Sequence, residues 1–305
     1  MQDSCVSRLE FAIAGGDRRN DFLAARLTSL GARARLVRRR PPLVPGVGHH
    51  TCLSDALSGA HVLVCPMPPF GPGGRVWSED PEDALFLSGD DLGKMVPPAL
   101  VLAGSFPPDL AAAVAGAGCQ AVALGDLDDL AILNSIPTAE GAVMMALERT
   151  RVTIHGSRAA VIGYGRTGQT MAATLAALGA RVTVVARRPD ARARAVVTGC
   201  VAVDFSELRD ALEGARFVFN TVPAAVLGRE ALSVLDGEAV VIDLASGKGG
   251  TDFDAAAEFG LKAVLAPGLP GRVAPETAAT YLASVILRLI DERLDDGAAR
   301  EVSRS

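Results

Sequence analysis

The chain has 305 residues, 49% of them hydrophobic and 21% charged, with a formal net charge of −5. Single hydrophobic cores stop growing near about 250–300 residues, so this length predicts two domains. The mildly acidic balance and ordinary apolar content exclude a disordered chain and a nucleic-acid partner.

The opening residues MQDSCVSRLEFAIAGG have no basic segment followed by a long apolar core. No stretch carries the about 18 consecutive apolar residues of a membrane span, so a cytoplasmic protein without a membrane partner is expected. Cys5, Cys52, Cys65, Cys119 and Cys200 form no C-x-x-C pair, and His49, His50, His61 and His155 form no ligand ladder. Buried thiols and no metal are the expectation.

Residues 9–41 begin with an apolar run, turn at Gly15, continue as an Ala/Leu-rich helical pattern to Leu30-Gly31, and end in a second apolar run. Residues 157–189 repeat this without a gap at an offset of 148: Gly15 falls on Gly163, Leu27 on Leu175 and Pro41 on Pro189. Each is a β-α-β unit whose strands read as buried on both faces. Further strands are predicted at 61–65, 99–104 and 120–123, then at 200–203, 216–220, 238–244 and 262–265. Such alternation predicts an α/β protein made of two Rossmann-like, doubly wound parallel-sheet domains, with a cleft between them closed by linking helices. The expected division is 1–133 for a substrate domain, 134–150 for a linking helix, 151–271 for a nucleotide domain and 272–305 for a helix packing back on the first.

Between the halves, Thr138 reads as the N-cap of a helix running to about Arg149, with Glu140 in its first turn. Asn134 and Ser135 would then precede a helix N-terminus and could hold a substrate carboxylate. His155, just before the second repeat, is a candidate general acid/base.

The second repeat keeps the full dinucleotide fingerprint, Gly163-Tyr164-Gly165-Arg166-Thr167-Gly168, after a strand and before a helix. Its glycines permit a tight turn, close approach of a pyrophosphate, and close helix–strand packing. In the first repeat Asp17 and Asn20 replace the second and third glycines, so that domain is expected to bind something else. Where NAD-binding versions end their second strand with an acid, this chain reads Val185-Ala186-Arg187-Arg188, and Asp190 reads as the N-cap of the next helix. Two guanidiniums and no acid favour NADP, with NAD as the alternative.

Loops after later strands should border the cofactor: Asn220-Thr221-Val222-Pro223, then Asp243-Leu244-Ala245, then Pro267-Gly268. Asp252 reads as a helix N-cap. A turn through Arg272 leads into a final helix ending near Glu292.

The segments AGGDRRN, NSIPTAEGAVMMA, TIHGSRAAVIGYGRTG, DLASGKGGTDF and APGLPGRVAPETA, in this order across residues 8–290, closely resemble the A-subunit family of dipicolinate synthases. The resemblance implies an NAD(P)-dependent oxidoreductase that converts a dihydrodipicolinate-type precursor, a small dicarboxylate, to dipicolinate in sporulation. For such a dianion Arg18 or Arg19, together with Arg272, are the expected clamps. It also implies a separately encoded, flavoprotein-like B-subunit of dipicolinate synthase, and a homo-oligomer is expected. Two other readings stay open. One is a two-domain dehydrogenase similar to methylenetetrahydrofolate or alanine dehydrogenases. The other is a non-catalytic, NADP-binding regulatory protein.

Overall fold

The computed structural model describes residues 6–68 and 70–295. Cys5 and the last ten residues of the expected C-terminal segment lie outside the described residues. The chain divides into two compact units, one built from residues up to Ala131 together with the chain from Pro275, the other from Ile132–Ala274.

In the first unit β1 (Glu10–Ala14) leads through a glycine turn into α1 (Arg18–Ser29) and β2 (Arg33–Val37). Then come β3 (Gly48–His50), β4 (Val62–Val64), β5 (Ala99–Ala103) and β6 (Cys119–Ala123), in the spatial order β3-β2-β1-β4-β5-β6. All pairings are parallel. The central strands are buried on both faces because helices cover each side, as their unbroken apolar runs require. β3 has no counterpart among the predicted strands. Its Gly-His-His sequence lacks apolar periodicity, and pairing with β2 alone defines it.

Helix α2 (Asp128–Leu147) carries the chain into the second unit. This corrects the expected helix start at Thr138: the helix runs unbroken through Asn134, Ser135 and Pro137. Pro137 cannot donate to the preceding turn, and nearby hydroxyls take up carbonyls there. Ser135 Oγ donates to Ile132 O at 2.6 Å and Thr138 Oγ1 to Asn134 O at 2.7 Å. By length and composition α2 could cross a membrane, with a mean hydropathy of 1.4. Its Ala139, Ala142, Met145 and Ala146 are instead buried in the core of the second unit, which accounts for that composition.

The second unit contains β7 (Arg158–Ile162), α3 (Arg166–Ala177), β8 (Arg181–Val185), α4 (Pro189–Val197), β9 (Val201–Val203), β10 (Phe217–Asn220), β11 (Val240–Asp243), β12 (Lys262–Leu265) and α5 (Leu269–Val273). Its sheet, again all parallel, runs β12-β11-β10-β7-β8-β9. Counted from each unit's own first strand, both orders are 3-2-1-4-5-6, the doubly wound Rossmann arrangement. In the second unit the order reverses between β7 and β10, so a crevice opens beyond their carboxyl ends. The last helix, α6 (Pro275–Ile290), returns to the first unit, where Leu282, Ile286 and Leu289 share a core with Leu23 and Leu27 of α1.

Candidate nucleotide site

The fingerprint loop is shaped by two close approaches. Gly163, at φ 92°, donates to Val185 O at 2.9 Å, and a Cβ there would lie 2.5 Å from Thr221 Oγ1. A Cβ on Gly168 would lie 2.3 Å from Gly163 O, so only glycine lets α3 start this close to β7. Gly165 differs. A Cβ there meets nothing within 4 Å, and no side chain caps α3. The first-turn amides have no partner within the helix, the arrangement by which helix N-termini receive anions.

These atoms form one wall of an open pocket of about 720 Å³ that lies wholly within the second unit. Gly163, Tyr164, Gly165, Arg166 and Thr167 line it, as do Arg187 and Arg188 after β8, Thr221, Val222 and Pro223 after β10, and Ala245 after β11. Its open cradle, helix terminus and volume fit a dinucleotide.

Asn220 and Asp243 require correction as contact residues, because both are wholly buried. Asp243 accepts from Asn220 Nδ2 at 3.0 Å, Ala245 N at 3.0 Å, Gly250 N at 2.8 Å and Thr251 Oγ1 at 2.6 Å. Asn220 also exchanges bonds with Val222 N and O. The pair fixes the loops that line the pocket without reaching it. Pro267 and Gly268 follow β12 and do not line the pocket either; Gly268 is the left-handed N-cap of α5. Asp252 caps its helix, accepting from Ala255 N at 2.9 Å.

Beyond β8, Arg192 donates to Ala186 O at 2.8 Å, Arg187 O at 2.7 Å and Asp204 at 2.7 Å, fixing the backbone that presents Arg187. Asp190 is not the N-cap of α4. The helix begins at Pro189, and Asp190 in its first turn chelates the Nε and Nη2 of Arg188. That hydrogen bond holds the Asp190 carboxyl below the usual carboxylate range. Gln169, Ala186, Ala191, Arg194, Phe205, Leu244 and Ser246 also line the pocket. Arg194 was legible in principle, since on a helix it shares a face with Asp190 and Ala191 whereas Arg192 does not.

Of the expected substrate and catalytic residues, the four in the second unit, His155, Asn134, Ser135 and Arg272, do not line this pocket. His155 is exposed at the amino end of β7, about 16 Å of strand away from Gly163. Its ring lies against Gly179, where a Cβ would come within 2.2 Å of Nδ1. That position is at the far end of both β7 and α3, which corrects its assignment as the base. Ser135 is buried, and its hydroxyl also meets Thr170 Oγ1 of α3 at 2.5 Å. Asn134 Oδ1 is buried without a hydrogen-bond partner. Arg272 is exposed in the last turn of α5.

In the first unit, Arg19 is held by Asp17, with Nε at 2.8 Å from Oδ1 and Nη2 at 2.7 Å from Oδ2. Asp17 also caps α1 by accepting from Arg19 N at 3.0 Å. Asn20 turns inward onto Gly15 O at 3.0 Å. Gly16 pairs with the strap Trp77–Glu79, donating to Trp77 O at 2.9 Å and accepting from Glu79 N at 3.0 Å. The place of a pyrophosphate is filled by the unit's own atoms.

Residues 10–124 match the model of the N-terminal domain of the dipicolinate synthase A-subunit, and residues 138–254 match the D-isomer specific 2-hydroxyacid dehydrogenase NAD binding domain. The dipicolinate synthase A-subunit of Bacillus subtilis (strain 168) is 37% identical over 289 residues, 94% of this chain and 97% of the relative. The chain belongs to the A-subunit family of dipicolinate synthases. Crystal structures of the family members from Bacillus halodurans and B. subtilis each match with a TM-score of 0.83 and 35% identity. They cover 92% and 94% of this chain and 97% of their own. In this family member the open fingerprint loop lies in the stretch matched by the NAD-binding domain, a dehydrogenase-type domain for a nicotinamide cofactor. The filled loop lies in the stretch matched by the family's own N-terminal domain.

Proposed function

We propose that this chain is the component of a dipicolinate synthase that oxidises a dihydrodipicolinate-type dicarboxylate to pyridine-2,6-dicarboxylate, in the cytoplasm of a sporulating cell, with NADP preferred over NAD. The observation that carries the reading is the pocket of the second unit, an uncapped helix N-terminus beside Gly165 with arginines at the end of β8. Family membership supports the substrate class and a partner protein. We assign that partner to the flavoprotein-like B-subunit, and the assembly contains more than one copy of this chain.

A nicotinamide nucleotide bound here supplies a two-electron acceptor. The residues of this chain bind and orient. First-turn amides of α3 would receive the pyrophosphate, the Asn220–Asp243 pair holds the loops beyond β10 and β11, and the charged rim after β8 would meet the adenosine ribose. Arg272, exposed at the end of α5, is the guanidinium we assign to a substrate carboxylate. Arg19 is already engaged by Asp17, and Ser135 by Thr170. Loss of one hydride and one proton aromatises the ring, and the proton leaves to water. Calorimetric titration of the full chain with NADP and NAD tests the reading. Saturable binding with NADP tighter is expected, and no binding of either overturns it.

A further inference from the structure

Four charged side chains line the pocket after β8: Arg187, Arg188, Asp190 and Arg194. They are not equivalent. Arg188 turns its Nε–Nη2 edge to Asp190, with Nε at 2.9 Å from Oδ1 and Nη2 on Oδ2. This is the fork a phosphate would take. An anion reaching Arg188 must displace that carboxylate or sit beside it, and like charges at contact distance repel. Among the described residues, the guanidiniums of Arg187 and Arg194 have no such carboxylate partner. The backbone under Arg187 is pinned by Arg192 through the carbonyls of residues 186 and 187. Arg194 stands one turn along α4 from Asp190, on the same helix face. Three arginines and one aspartate leave two net positive charges, which match the −1.5 to −2 or so of a phosphate monoester near neutral pH.

We infer that Arg187 and Arg194 read the 2′-phosphate of the adenosine ribose, while Arg188 is held by Asp190 as an internal pair that shapes the rim and contributes little to nucleotide choice. Arg194 is therefore a specificity-determining residue, and Arg192 a positioning residue for Arg187. The inference rests on the nucleotide pocket proposed above and names which of its side chains discriminate.

The test is calorimetry on the full chain with NADP, NAD and adenosine 2′,5′-bisphosphate, using Arg187→Ala, Arg188→Ala, Arg194→Ala and Arg194→Glu. All three positions are exposed, so the fold should survive each change, and a thermal melt checks this. Arg187→Ala and Arg194→Ala should each weaken NADP and the bisphosphate about tenfold or more, with NAD changed less than about twofold. Arg194→Glu should abolish the preference for NADP, and Arg188→Ala should leave it within about threefold. If Arg188→Ala erases the preference and Arg194→Ala does not, the inference is overturned while the pocket stands. If the unmodified chain binds none of the three ligands, the underlying reading fails instead.

Discussion

The side-chain amide of Asn20 donates to Gly15 O at 3.0 Å, and so fills the loop that its counterpart Gly168 leaves open in the second unit. With Asp17 bound to Arg19 and the Trp77–Glu79 strap on Gly16, one repeated β-α-β start yields a closed loop and an open one. Among the described residues, one dinucleotide site is therefore the prediction. Gly165→Asp places a carboxylate in open space at the cradle, where it should repel a pyrophosphate without disturbing packing. Calorimetry on that variant should show no saturable NADP binding. Residual tight binding would mean that the first unit holds a nucleotide after all.

The Asn220–Asp243 pair should matter for stability before it matters for chemistry. Asp243→Asn keeps the shape but turns an acceptor of four donors into a group that must itself donate, in a wholly buried place. A cost of about 1–3 kcal/mol is expected. Denaturant unfolding should show it, with nucleotide affinity falling as the loops beyond β10 and β11 loosen. An unchanged midpoint would remove the pair's structural role.

His155→Ala should leave kcat for dipicolinate formation, measured with the B-subunit present, within about twofold across pH 6–9. Its ring packs on Gly179 at the end of β7 away from the fingerprint. A fall of the about 10²–10⁴-fold typical of a lost general acid/base would restore it to the reaction.

The preference for NADP should depend on pH through the ligand rather than the protein. Bonding to Arg188 lowers the Asp190 carboxyl below the ordinary range, so the pair persists from neutral pH down through weakly acidic conditions. It is lost only as pH falls through that depressed value. A 2′-phosphate loses its second charge below about pH 6. NADP affinity should therefore weaken between pH 8 and pH 5 while NAD affinity stays level, as parallel titrations would show. Equal changes for both would contradict it.

How much could be read in advance follows from distance along the chain. The repeat, the buried strands and the glycine loop are local patterns. The expected strands at 99–104, 216–220 and 262–265 appear as Ala99–Ala103, Phe217–Asn220 and Lys262–Leu265. The burial of Asn220 against Asp243 joins residues 23 apart through strand register, which spacing does not reveal. The strap over Gly16 comes from about sixty residues downstream, in a stretch without periodicity. Thr138 reads as an N-cap, yet its hydroxyl and that of Ser135 bond to carbonyls of the preceding turn and the helix runs through.

On the proposed reading, a nicotinamide nucleotide bound in the second unit takes the electrons when the dihydropyridine ring becomes aromatic. The most direct measurement mixes the purified chain, the B-subunit, NADP and the dihydropyridine dicarboxylate, and follows reduced nicotinamide and pyridine-2,6-dicarboxylate together. One reduced nicotinamide per pyridine ring is the predicted result, abolished by Gly165→Asp. Pyridine-2,6-dicarboxylate formed at an unchanged rate without any nicotinamide nucleotide, or undiminished in Gly165→Asp, would contradict the account.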